Sequence, residues 1–266
     1  MHVKYQRFNL ALVGLCIITT TYLVLPLVTI FIFITSASHT NAVGRPEAIN
    51  AFLLSGGTAT ISTTLLLVFG MPVGYFLARS HDFPGVSILR IIVFLPLVLP
   101  PLASGALLLG TFGPLSPIMK LFPSFDVTQS IVGIIIAQTY ISSPFMILAS
   151  EVAFKSFDES LEKVSLLLGR TRLQTFVHVS VPLARNGIII GSIMSWVRAV
   201  GELGATMMLA YNPHTISIQI FEDNAIGGLT QAIPDIFLSI VLSITALTAF
   251  WFYSTKLRNG RYWKVT

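Results

Sequence analysis

Charge is what this sequence has least of. Asp, Glu, Lys and Arg together make up 10% of its 266 residues, against 54% hydrophobic, where a soluble domain carries about 25% charged residues. A chain so poor in charge cannot cover a globule with a polar surface. That excludes an ordinary water-soluble fold and leaves the bilayer as its solvent. Cysteine is nearly absent as well: Cys16 stands alone, so no intrachain disulfide can form. The G-x-x-x-x-G-K-[ST] phosphate loop is missing, which removes that route to ATP. The five histidines (His2, His39, His81, His178 and His214) lie apart, none with another three or four residues on, so no single local motif builds a histidine metal site. No G-x-S-x-G nucleophile turn occurs either. These gaps predict a non-catalytic chain with no cofactor of its own.

Long apolar runs, by contrast, recur at 10–34, 57–78, 88–112, 131–150, 187–210 and 232–252. Each is near the ~20 residues a helix needs to cross about 30 Å of hydrocarbon. The reading is an all-α membrane protein, a single domain over 1–266. Its six transmembrane helices fall at about 9–35, 55–79, 88–112, 131–150, 187–210 and 231–254, with a polar loop, 151–186, between the fourth and fifth.

The few charges are placed unevenly. With the N-terminus inside, the cytoplasmic segments hold Lys4, Arg7, Arg79, Arg90, Lys155, Lys163, Arg170, Arg172, Arg185, Lys256, Arg258, Arg261 and Lys264, and the outer segments only Arg45 and Lys120. This is the positive-inside pattern, which puts both termini in the cytoplasm; the cell (plasma or inner) membrane is the expected location. The net charge of +5 is then a topology signal and not a nucleic-acid footprint. The charged start MHVKYQRF and the small residues at 36–38 resemble a cleavable signal. The apolar stretch between them exceeds the about 7–15 residues of such signals, so a retained first helix is expected.

Three spans carry unusual residues. The second contains SGGTATISTT (55–64) and GMPVG (70–74), small and hydroxylated residues that let helices approach and hydrogen-bond across the contact. The third contains FLPLVLPP (94–101), where Pro96, Pro100 and Pro101 each remove a backbone donor, so this helix should kink or break. Carbonyls freed at membrane depth are tolerated only against protein or water, which makes the break a candidate path lining, with a packing kink as the alternative. The fifth has Gly187, Gly191, Ser195 and Ala199 at four-residue intervals, then WVRAVGELGATMML (196–209). Arg198 would lie roughly 16 Å beyond Gly187 at 1.5 Å per residue, near the midplane, where a charge costs about 2.5–3.5 kcal/mol. Glu202, four residues on, can meet it, although the favoured helical order places the glutamate first. The pair is read either as a clamp between helices or as a polar element beside a water-filled path suited to an anion.

In the polar loop, Ser156 and Glu159 have capping-box spacing. Phe157, Leu161, Val164 and Leu168 then fall on one helical face, Gly169 sits where a helix ends in a left-handed turn, and Arg170, Thr171 and Arg172 begin a second segment. Mixed charges, Asp158, Glu159 and Glu162 beside Lys163, suit a protein partner better than an anionic membrane surface.

These residues resemble the permease subunit of an ABC importer, and specifically the molybdate/tungstate branch of the oxyanion family, over almost the whole chain. LEKVSLLLGRTRLQTFVHVSVPLARNGI (161–188) is similar to the family's coupling motif, with Gly169, Thr175, Phe176, Val179 and Pro182 in place. Lys163, Val164 and Ser165 stand at its E-A-A positions, with Glu162 one residue out of phase. PLVLPP (96–101) resembles the third-span signature, and Arg198, Gly201, Glu202, Gly204 and Ala205 match R-x-x-G-E-[FL]-G-A. The resemblance implies two copies lining one path, two separate ATPase subunits that bind ATP and Mg, and an extracytoplasmic oxyanion-binding protein. It implies ATPase coupling through Phe157, Leu161, Glu162, Lys163, Val164, Leu168, Gly169, Arg170, Thr171 and Arg172, and a path or gate at Pro100, Pro101, Arg198, Gly201, Glu202 and Gly204. A sulfate or thiosulfate permease is the alternative of the same class. A stand-alone secondary anion transporter or channel is the more distant one.

Overall fold

A computed structural model describes residues 2–36, 45–80, 83–121 and 127–260; Ser38, His39, His81, Arg261 and Lys264 lie outside them. Among the described residues the elements are helical: α1 (His2–Ser36), α2 (Pro46–Leu65), α3 (Met71–Arg79), α4 (Val86–Val98), α5 (Pro101–Phe112), α6 (Pro117–Leu121), α7 (Ile131–Lys155), α8 (Ser160–Leu167), α9 (Arg172–Thr175), α10 (Val181–Val200), α11 (Gly204–Leu209) and α12 (Ile216–Gly260). Six stretches are long and apolar enough to cross a membrane: Leu12–Phe33, Pro46–Arg79, Pro101–Leu121, Ile131–Lys155, Arg172–Val200 and Ile216–Thr248. The chain is a multi-pass, all-α membrane protein.

The prolines decide where these spans bend. A proline restricts the residue before it to extended backbone, so Pro100 and Pro101 drive Leu99 (ψ 137°) and Pro100 (ψ 139°) out of the helix. The third span is therefore two helices, α4 and α5, as expected, and Pro101 opens the second of them, where its missing N–H costs nothing. Pro72 and Pro182 act differently. Each follows a five-residue π-helical turn, Leu66–Gly70 in the second span and Phe176–Ser180 in the fifth. A proline has no N–H for the carbonyl four residues back, and its ring crowds that carbonyl. Widening the turn by one residue relieves the crowding without breaking the helix.

Several boundaries differ from the expected ones. The second span begins at Pro46 rather than 55. The fifth, expected over 187–210, runs from Arg172 to Val200, and its last residues form the separate α11. Only residues 156–171 of the expected 151–186 loop lie between the long helices. The sixth, expected over 231–254, begins at Ile216, because the segment IFEDNAIGG is itself helical up to Gly228. Gly228 breaks it at φ 68°, ψ −169°, a conformation open essentially to glycine alone.

Packing centres on α7. The small-residue ladder of α10 lies against it: a Cβ on Gly191 would fall 2.7 Å from Ala149 Cβ, and Ser195 Oγ donates to Ser142 O at 3.4 Å. A Cβ on Gly74 of α3 would sit 2.6 Å from Ile147 O, also on α7. The hydroxylated face of α2 is buried, and Ser62 Oγ donates to Ile135 O (3.2 Å) and to Gln138 Oε1 (3.3 Å). Helix α1, in contrast, buries none of its apolar window within the chain.

Candidate functional site

The fifth span ends between the two charges that mark it. Arg198 lies in the last turn of α10 and Glu202 just before α11, with Gly201 as the C-cap between them. This explains an order of charges that a continuous helix would disfavour. A cation is stabilised where helix carbonyls are left unpaired, and an anion where N–H groups are. Glu202 Oε1 accepts the Ala205 N–H at 2.7 Å and so caps α11, while its other oxygen lies 2.7 Å from Arg198 Nη1. Glu202 is 1% exposed, whereas the Arg198 side chain is 29% exposed. The carboxylate is the buried brace and the guanidinium the accessible end.

The broken third span meets this break. A Cβ on Gly204 would fall 2.8 Å from Pro101 Cβ and 2.9 Å from Leu102 N, and one on Gly105 would fall 2.8 Å from Ala205 Cα. Only glycine permits α5 and α11 to approach so closely. Together they border an open hollow of about 320 Å³ lined by Pro100, Pro101, Leu102, Arg198, Gly201, Glu202, Leu203 and Gly204. All six residues singled out as path or gate candidates therefore border one space, although about 100 residues separate the two stretches in sequence.

The segment between the fourth and fifth spans is a helix, a corner and a second helix. The corner is a Schellman motif: Arg170 N–H bonds to Ser165 O (3.2 Å) and Gly169 N–H to Leu166 O (3.0 Å), with Gly169 at φ 89°. Thr171 then starts α9 through a capping box with Gln174, and Ser165 Oγ lies 2.9 Å from Thr175 Oγ1. Leu161, Val164 and Leu168 are 47%, 52% and 80% exposed, and Lys163, Arg170, Thr171 and Arg172 are exposed beside them.

Three expectations for this segment are corrected. Ser156 and Glu159 form no capping box, because α7 runs on to Lys155 and Ser156 Oγ turns back to Ala153 O. The N-cap of α8 is Glu159, without a side-chain cap, and Asp158 before it accepts the Ser160 N–H at 2.8 Å, a bond that holds its carboxyl below the usual range. Phe157 precedes α8 and is not on its outer stripe; Arg79 Cζ stacks 4.8 Å from its ring centroid. Glu162 does not face outward. It is 7% exposed and bound to Arg79, Tyr75 and Ser180.

Sequence reasoning singled out neither those three partners nor the cluster in which Arg45 Nη2 bridges Asp223 (2.5 Å) and Asp235 (2.9 Å). A buried aspartate in an apolar helix was the available signal for the latter. Among the described residues no group of His, Cys, Asp or Glu is arranged to hold a metal ion.

Residues 70–256 match the family model described as the binding-protein-dependent transport system inner membrane component. The chain is 35% identical over 243 residues to a probable molybdenum ABC transporter permease protein of Haloferax volcanii, covering 91% of this chain and 88% of that protein. It is 34% identical over 248 residues to the molybdate/tungstate transport system permease protein WtpB of Thermococcus kodakarensis, covering 92% and 94%. In fold it is similar to a chain of a bacterial alginate ABC transporter solved with its alginate-bound periplasmic protein, with a TM-score of 0.64 at 15% identity, covering 96% of each. The chain belongs to the binding-protein-dependent transport system inner membrane component family, the permeases of ABC importers.

Proposed function

We propose that this permease carries molybdate and tungstate, with two copies enclosing one path, both termini cytoplasmic, and ATP and Mg bound by two separate ATPase subunits. An extracytoplasmic binding protein delivers the anion. The observation that carries the reading is the meeting of two broken spans around one hollow with a guanidinium at its edge. Arginine offers five donors in a rigid fork that fits an oxyanion. Glu202 partly neutralises it, which suits a path better than a trap, since conduction needs binding weak enough to release. The names of the relatives supply the choice of anion, and selectivity is assigned mainly to the binding protein. The exposed apolar stripe of α8 is assigned to the ATPase, as a helix laid into a groove.

The test is uptake by proteoliposomes holding this chain, its ATPase and its binding protein. ATP-dependent uptake of labelled molybdate, blocked by tungstate and not by sulfate, is expected. Blockage by sulfate would move the chain to the sulfate branch, and uptake without ATP would contradict ATP coupling.

A further inference from the structure

Glu162 lies on the face of α8 turned away from the exposed apolar stripe, and its carboxylate is bonded to two different spans. From α3, the end of the second span, Arg79 donates through Nε to Oε2 (3.0 Å) and through Nη2 to Oε1 (3.2 Å), and the Tyr75 hydroxyl donates to Oε2 (3.3 Å). From the π-helical turn of the fifth span, the Ser180 hydroxyl donates to Oε1 at 2.7 Å. Aromatic contacts close the node: the Tyr75 ring packs edge-on against Phe154 of α7 (5.1 Å) and Phe176 of the π turn (4.8 Å). Each of the two spans tied here carries one of the π turns, and both turns lie beside a proline. Such turns are frequent at functional sites and are among the places where helices kink. The geometry thus joins a docking helix to two spans through one carboxylate, with a π turn at or near the joint in each.

We infer that Glu162 is the positioning residue that transmits movement of α8 to the second and fifth spans together, and that it does so from inside the chain without touching the ATPase. This rests on the proposed function and adds which residue carries the stroke and where it goes. A carboxylate gripped by a two-pronged guanidinium and two hydroxyls has a fixed direction. A push on the outer stripe of α8 is therefore delivered to Arg79 and Ser180 and is not absorbed by side-chain rotation. Removing the charge should separate ATP hydrolysis from transport.

The experiment compares the assembled complex carrying the unaltered chain, Glu162→Gln, and Arg79→Gln/Glu162→Gln, reading molybdate moved per ATP hydrolysed together with the amount of assembled complex. Glu162→Gln leaves Arg79, nearly buried, with only its longer ion pair to the half-exposed Glu159 (3.7 Å) and is expected to lower assembly. The double variant removes that stranded charge and should recover assembly. In both, transport per ATP should fall by about fivefold or more, the lower end of the range for coupling between sites. Transport per ATP at the unaltered level in the double variant would show that the node only holds the fold, and would overturn the inference. The unaltered complex is read first. Absence of ATP-driven uptake there would overturn the proposed function and this inference with it, whereas normal uptake with unaffected variants overturns the inference alone.

Discussion

Arg198→Met lowers ATP-driven uptake by at least about tenfold, equivalent to ~1.4 kcal/mol on the limiting barrier, while the complex still assembles. Two consequences of the substitution have to be separated. Methionine fills much of the same space but leaves Glu202, 1% exposed, without its cation. Breaking a buried pair from one side costs about 3–5 kcal/mol, and the 29% exposure of Arg198 puts this case below that range. Glu202 also caps α11 through the Ala205 N–H, and an amide oxygen can accept the same bond. Arg198→Met/Glu202→Gln should therefore recover the thermal stability lost by the single variant and leave uptake low. Recovery of uptake along with stability would show that the guanidinium is only a clamp. The check is a melting curve and an uptake rate on the same purified complexes.

The second large effect is expected at Gly169. Its φ of 89° places it in the left-handed region, and a Cβ there would meet nothing within 4 Å. Any effect of substitution is thus conformational and not steric. The left-handed form costs an ordinary residue roughly 1–2 kcal/mol, and valine, branched at Cβ, is among the least tolerant. The corner's two Schellman bonds, Arg170 N–H to Ser165 O and Gly169 N–H to Leu166 O, would open, and the stripe Leu161, Val164, Leu168 would turn away from its docking orientation. Gly169→Val should lose most ATP-dependent uptake through uncoupling or loss of the ATPase subunits. Gly169→Asn, which tolerates the left-handed region, should keep it. Equal loss in both would place the requirement on the absent side chain itself and not on the turn. Co-purification of the ATPase and uptake per ATP distinguish the outcomes.

What the sequence discloses about this molecule follows the range of the interactions involved. The break at Leu99 and Pro100 is legible because a proline acts on its immediate neighbour, and the turn at Gly169 because helix ends announce themselves within one turn. The ladder from Gly187 to Ala199 reads as a contact face because its period is that of a helix. The start of the fifth span is not legible in the same way: a π turn absorbs Pro182, so the span starts at Arg172 inside what reads as a polar loop. The order Arg198 then Glu202 looks unfavourable until the helix is seen to end between them. Glu162 is the extreme case. Its partners Arg79 and Ser180 stand 83 and 18 residues away, and nothing local separates it from Glu159, which lies nearer the surface. The same holds for Arg45 and Asp235, paired across 190 residues.

The central claim is that the hollow between the two broken spans is part of an aqueous path that ATP opens and closes. Gly201 borders it, and a Cβ there would meet its nearest neighbour, Val197 O, at 3.6 Å, so a small side chain fits. Cys16 is the sole native cysteine; with Cys16→Ser as background, Gly201→Cys gives one reporter thiol. The measurement is its labelling rate by a charged, membrane-impermeant thiol reagent in sealed proteoliposomes holding the complete transporter, with and without ATP trapped in the ATPase. Reagent enclosed inside the vesicles is compared with reagent added outside, and Leu15→Cys on the lipid-exposed face of α1 is the control. The thiol of the Gly201→Cys variant is expected to be labelled from one side at rest, at a rate that trapping ATP changes. A thiol there as unreactive as that of the Leu15→Cys control, from both sides and in both states, would contradict the claim.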